Sequence, residues 1–213
     1  MKRFINIFFV TLLPLMVMAQ NVTTQSTKTS SNRSTTGTIN GHEWVDLGLS
    51  VKWATCNVGA SSPSECGDYF AWGETSTKSE YTEKNCNTHE KKMRNIAGNS
   101  QYDAARVHWG STWRLPTKKE CKELVKKCTW TWTSQGGNNG YLVSSKKNGN
   151  SIFLPAAGWH REASVNHDGE YGVYWSSTPK TKSGAYFLYF QSFFFDVLFF
   201  NRYSGYPIRP VSE

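Results

Sequence analysis

Between Cys121 and Cys128 the apolar side chains Cys121, Leu124, Val125 and Cys128 fall at i, i+3, i+4 and i+7, with lysines filling most of the positions between them. Residues with that spacing share one side of a helix, so the stretch predicts a short amphipathic helix over 117–128 with one buried face. Thr117 stands at its N-cap and Glu120 three residues on, the spacing at which each side chain satisfies the other's backbone N–H. Pro116, just before the cap, fixes the entry angle. Lys118 and Lys119 oppose the helix dipole and Lys126 and Lys127 suit it, so the helix should rest on its cap and its packing. A second short helix is expected in "YDAARVHWG", 102–110, with Asp103 as cap and Gly110 as stop.

After Thr129 the pattern shortens. "TWTWT", "GYLVSS", "SIFLPAAGW", "YGVYWSST", "AYFLYFQS", "FFFDVLFFNRYS" and "YPIRPV" are short runs bounded by Gly, Asn, Ser or Pro, and they read as strands. Upstream, "HEWVDLGLSVKWATCNVGA" reads as two strands around Gly48, and "GDYFAWGETS" as a strand or loop entering a glycine turn. Residues 77–99 are polar without a clear period and suggest a long mobile loop. In "AYFLYFQSFFFDVLFF" both faces are apolar, so at least one strand should be covered on both sides. If it is not, the segment from Phe193 to Phe200 is a surface for self-association.

Composition changes the picture at the N-terminus. Lys2 and Arg3 precede an apolar run to Met18, and Val17-Met18-Ala19 ends it with a peptidase-like site, so 1–19 reads as a signal peptide. That run is too short to span a bilayer. Residues 20–40, dominated by Ser, Thr, Asn and Gln, read as a disordered tether, leaving 41–213 as a single domain. The expected location is outside the cell or on its surface, with the periplasm also open. A formal net charge of +8 favours acidic surfaces or polymers, but the lysines are dispersed and nucleic acid is not an expected partner of an exported chain.

Export permits disulfides. The five cysteines are an odd set, so at least one thiol stays free or pairs between chains. Cys121 and Cys128 would lie about 10 Å apart along one helix, too far to bond. The preferred pair is Cys56 with Cys128. No Cys-x-x-Cys exists, and neither a metal nor another cofactor is expected.

The order of segments resembles a known group. "VDLGLSVKWATCNVGA", "GDYFAWGET", "WGSTWRLPTKKECKEL", "CTWTWT", "NGNSIFLPAAGW", "YGVYWSSTP" and "IRPV" are similar to the Fibrobacter succinogenes major paralogous domain of secreted Bacteroidota proteins. That group is related to the C-terminal domain of collagen-like adhesins and to sulfatase-modifying-factor domains. The resemblance implies an α+β, C-type-lectin-like fold: two short helices on twisted, mostly antiparallel strands and hairpins, with the terminal strands close together. It implies no established activity.

Chemistry finds little support in the residues. A copper-dependent oxidase of the sulfatase-modifying kind needs cysteines in the C-terminal half, and the last here is Cys128. Calcium-dependent sugar binding needs Glu-Pro-Asn or Gln-Pro-Asp with Trp-Asn-Asp, and none occurs. Glu162, Asp168 and Glu170, flanked by His160 and His167, read as a solvated loop rather than a glycosidase pair. Trp113, Arg114, Pro116, Thr117, Glu120, Trp175 and Arg209 are expected to serve the fold, the two arginines by locking corners. Trp72, Trp159, Tyr171 and Tyr174 sit beside glycine turns and are the candidate ligand-binding residues, because aromatic faces stack on sugars and peptides. The expected function is therefore non-enzymatic recognition or adhesion, with a glycan or an extracellular matrix or host protein as ligand. A structural subunit of a surface assembly is the alternative, and a polysaccharide-acting enzyme a third.

Overall fold

The computed structural model describes residues 35–213, an α+β arrangement of mostly antiparallel strands with two short helices. The expected signal peptide, and the tether up to residue 34, lie outside the described residues. The tether was expected to run to residue 40, but Thr36–Ile39 forms strand β1, paired with β2 (His42–Val45). Asn40 and Gly41 make the turn between them at φ 47° and 81°, the left-handed pair that a tight hairpin requires. β3 (Lys52–Ala54) joins β2, and the last strand of the chain, Val211–Ser212, joins β3, so the two ends of the folded unit share one four-stranded sheet.

Helix α1 (Ala104–Trp109) is capped by Asp103, whose carboxylate accepts from the Arg106 N–H at 3.1 Å, the Gly98 N–H at 2.6 Å and the Leu115 N–H at 2.9 Å. Helix α2 (Lys118–Lys127) carries the capping box: Thr117 Oγ1 accepts from Glu120 N at 3.3 Å, and Glu120 Oε2 accepts from Thr117 N at 2.7 Å. Cys121 and Leu124 are buried on its apolar side, while Val125 is half-buried at the margin.

Two three-stranded sheets follow. β4 (Cys128–Gln135), β5 (Asn138–Ser145) and β6 (Ser151–Pro155) form one, and after the short hairpin β7 (Trp159–Arg161) with β8 (Ser164–Asn166), the strands β9 (Tyr171–Pro179), β10 (Gly184–Gln191) and β11 (Phe194–Asn201) form the other. The second sheet is the middle layer of the molecule. Its register sets Tyr174, Leu188 and Val197 on one face and Trp175, Phe187 and Leu198 on the other, since directly paired residues point the same way. The first face packs with α2 and β4–β6 around Leu124, Tyr141 and Leu154. The second packs with α1 and the 54–72 segment around Phe70, Trp72 and Trp113. That is why "AYFLYF" is apolar at every position: β10 lies between two cores, as a central strand must when both faces are covered. The final strand, Val211–Ser212, is β12.

The segment 77–99 carries no regular element but is not the loose loop that its polarity suggests. Tyr81 exchanges backbone hydrogen bonds with Glu162, and Ile96 donates to Ser177. The buried Arg202 guanidinium donates to the carbonyls of Thr88 and Lys91, each at 2.9 Å. Tyr81, Cys86, Thr88 and Ile96 of the segment are themselves buried.

The expected Cys56–Cys128 disulfide is not formed, and all five cysteines are free thiols. Cys56 packs at the edge of the core around Phe70 and Trp72, whereas Cys128 belongs to the core on the other side of the middle sheet. Placing one cysteine at the end of a strand and the other at the end of a helix does not bring them together, because the two belong to different cores.

Candidate functional site

Four loop aromatics were expected to bind ligand, and the structure divides them. Trp72 is wholly buried, its indole N–H donating to the Ser176 carbonyl at 2.8 Å and its ring covered by Arg202 at 4.3 Å. Tyr174 is likewise buried, its hydroxyl donating to the Pro155 carbonyl at 2.6 Å. Neither can reach a ligand. A glycine neighbour turns the backbone but does not say which way the next ring faces, and here both face a core.

Trp159 and Tyr171 are half-buried and come together. Their ring centroids lie 5.7 Å apart, with His167 stacked on Trp159 at 4.8 Å and set edge-on to Tyr171 at 5.0 Å. The β7–β8 hairpin delivers Trp159, and the turn after it, with His167 at φ 57° and Gly169 at φ 77°, reverses the chain into β9. Gly158 N donates to the Tyr171 carbonyl at 2.7 Å and fixes the two segments side by side. The His167 ring bonds Glu170 Oε2 at 2.9 Å.

Register extends the group across the sheet. Tyr171, Gln191 and Phe194 lie in one row, and Tyr189 with Asp196 in the next. Tyr189 stands 5.9 Å from Tyr171 and 6.0 Å from Phe194, with tilts of 41° and 53° between neighbours. The result is an aromatic band from β7 to the edge strand, twisted with the sheet rather than flat.

At the end of this band a cavity of about 300 Å³ opens, lined by Trp132, Gly169, Glu170, Tyr171, Gln191, Ser192 and Phe193. Phe193 occupies the tip of the β10–β11 hairpin and is 82% exposed. Trp132 reaches the cavity from β4, seated edge-on against Tyr141 at 5.1 Å. Tyr141 in turn donates its hydroxyl to the Gln191 carbonyl at 3.1 Å, so the cavity wall is tied to the core. Three aromatic rings, one carboxylate and one amide therefore converge on a shallow site. Glu170 is the single carboxylate among the lining residues, so no acid and base pair is assembled there.

The sequence alone does not single out Trp132, Tyr189 or Gln191, and it gives Glu170 to a solvated loop and Phe193 to a self-association surface rather than to a ligand site. Of the first three only Trp132 carried a signal, since "TWTWT" alternates and commits both tryptophans to one side. Phe193 carried an apolar signal but none for a hairpin tip, because an apolar residue in a two-residue turn follows no turn chemistry.

A larger cavity of about 550 Å³ lies under the 77–99 segment, walled by Glu74, Lys78, Asn85, Thr88 and Lys91 among others. Its groups are paired with one another: Lys78 Nζ is 2.6 Å from Glu74 Oε2 and donates to the Asn85 carbonyl at 2.6 Å, and Glu74 Oε1 accepts from Asn87 N. These pairs tie the 77–99 segment to Glu74. Among the described residues no group of three or more His, Cys, Asp or Glu side chains is placed to hold a metal ion. No helix among them is long and apolar enough to cross a membrane.

The expected fold-serving residues have defined partners. Arg114 forks onto Glu120 at 2.8 and 3.0 Å. Arg209, fully buried, donates to Asn57 Oδ1 at 2.7 Å and to the Thr55 carbonyl at 2.8 Å. Trp113 donates to the Ile39 carbonyl and Trp175 to the Phe70 carbonyl, each at 2.8 Å, tying β1 and the 54–72 segment to the second core.

Residues 137–211, from β5 to the start of β12, match a family described as "Domain of unknown function (DUF8237)". No curated protein and no solved structure matches the chain. The matched region contains the whole aromatic band and all of the cavity wall except Trp132.

Proposed function

We propose that the chain is a secreted or surface-exposed, non-enzymatic recognition domain that binds a glycan in the cavity at the β10–β11 tip, on a C-type-lectin-like fold. The fold reading is supported by the return of β12 beside β3, by two short helices packed on antiparallel hairpins, and by the order of the segments along the chain.

The convergence of Trp132, Tyr171 and Phe193 with Glu170 and Gln191 is the observation that carries the function. A pyranose offers an apolar C–H face and a rim of hydroxyls. Aromatic rings take the face, and a carboxylate and an amide take the hydroxyls as acceptors and donors. At about 300 Å³ the cavity is at the small end of ligand sites, which suits one or two sugar units at the end of a chain.

The test is a glycan array probed with the purified chain and with Tyr171→Ala and Phe193→Ala. Saturable binding to a defined subset, weakened at least tenfold in both variants without loss of the folded state, supports the reading. Binding to a matrix-protein array alone, or no binding above a charge-matched control protein, rejects it.

A further inference from the structure

β11 is the outer strand of the middle sheet, and its outer edge is long and apolar, with no strand beside it among the described residues. The hairpin register pairs Arg202 N with the Ser183 carbonyl at 2.8 Å, and counting in steps of two from that bond turns the N–H and C=O groups of Phe194, Asp196, Leu198 and Phe200 toward β10. The backbone groups of Phe195, Val197, Phe199 and Asn201 therefore point away from the sheet. The Val197 N–H confirms the direction, because it is taken by the carboxylate of Asp196 at 2.7 Å instead of by a neighbouring strand. Phe193, Phe194, Leu198, Phe199 and Phe200 along this strand are all exposed. Such an edge is a template for another strand.

The geometry points to a second copy of this chain as the occupant: two β11 strands pair antiparallel about a two-fold axis at Val197, joining two three-stranded sheets into one of six. Antiparallel pairing about that point sets Val197 against its own copy, where the Asp196 carboxylate gives up the Val197 N–H to the facing carbonyl, and Phe195 against Phe199 through their outward-facing backbone groups. Phe194 then lies opposite Phe200, and Asp196 opposite Leu198. Each phenylalanine between residues 194 and 200 meets a phenylalanine of the other copy, and cross-strand aromatic pairs are favourable. Two-fold interfaces are self-complementary in this way. A lipid surface is the poorer occupant, because inserting the strip in hydrocarbon would leave the outward N–H and C=O groups without partners. The Ser- and Thr-rich residues before Thr36 offer no aromatic complement. Lys118 Nζ, 3.6 Å from the Tyr186 ring, and Lys180 Nζ, 5.6 Å from the Phe199 ring, flank the strip with like charge, so the pairing is opposed by electrostatic repulsion that salt screens.

Phe193 belongs to the glycan cavity and lies just outside the paired residues 194–200, so the test keeps the two surfaces apart through Tyr171 on one side and Leu198 and Phe199 on the other. Sedimentation equilibrium of the purified chain should show a monomer–dimer equilibrium that tightens as salt is raised. Phe199→Lys and Leu198→Lys should each weaken it at least tenfold, and Tyr171→Ala should leave it unchanged. Under mild oxidation the double variant Asp196→Cys/Leu198→Cys should give a covalent dimer that neither single variant gives. A chain that stays monomeric up to about 0.1 mM overturns the proposal, a range in which specific pairs associate. So does association untouched by both lysine substitutions, cross-linking by a single variant, or sedimentation with anionic vesicles lost in Phe199→Lys without any dimer.

Discussion

The guanidinium of Arg114 closes on the carboxylate of Glu120 through two hydrogen bonds, at 2.8 and 3.0 Å, while the same carboxylate caps the Thr117 N–H at 2.7 Å. One side chain thus serves both the corner before α2 and the first turn of α2. Burial works to raise the Glu120 carboxyl, and the Arg114 fork together with the Thr117 N–H outweighs it, holding the group below its ordinary 4.5. A carboxylate lowered on folding stabilises the protein above its unfolded pKa, and that contribution fades as pH falls through the folded value. Glu120→Gln should therefore cost about 1–3 kcal/mol at neutral pH. Its denaturation midpoint should also change less than the parent's below about pH 4.5, a difference that urea titrations at several pH values would read.

Asp103 holds three segments at once, accepting from Gly98, Arg106 and Leu115. Burial raises its carboxyl and those backbone donors pull it back, with burial prevailing. Asp103→Asn replaces one acceptor oxygen by a donor amide facing an N–H, so a loss of about 1–3 kcal/mol is expected. Hydrogen exchange should show α1 opening first.

His160 sits against the rings of Tyr69 at 5.9 Å and Tyr81 at 4.8 Å, and burial lowers its pKa below 6.5. The folded state prefers the neutral ring. Its contribution is complete above the unfolded pKa and is lost as pH falls toward the folded one, so the melting temperature should drop from about pH 7 to about pH 5. His160→Gln should flatten that drop.

Leu124 is completely buried beneath α2. Leu124→Ala should cost about 2–5 kcal/mol, whereas Lys122→Ala on the exposed side should change the melting point very little.

Thiol titration offers a direct check on the cysteines. Five free thiols are expected in denaturant under non-reducing conditions. In the folded chain Cys128, pushed up to about 11 by burial, and Cys121, higher still, should label far more slowly than the partly exposed Cys56.

What could be read beforehand followed how local the cause is. The α2 helix is specified by Thr117, Glu120 and a stripe of four residues, all within twelve positions, and the α1 boundaries by Asp103 and Gly110. Strand β1 was hidden in a run of Ser and Thr, although Asn40-Gly41 before Trp44 carried a hairpin signal. The packing of 77–99 depends on Arg202 and Glu162, more than sixty positions away from the residues that they hold, and nothing within the loop announces it. The same holds for the site. Tyr171 was visible as an aromatic beside glycine, but its company of Gln191 and Phe193 arises from the register of successive strands, and that of Trp132 from the packing of β4, neither of which is written next to Tyr171.

The shared sheet of β1, β2, β3 and β12 has a consequence for how such a unit can be carried. Its entrance and exit are three strand spacings apart, about 14 Å. A gap that narrow can be bridged by a short surface loop, so the whole fold can be spliced into another protein's loop, or strung in series with others, without prying the host open.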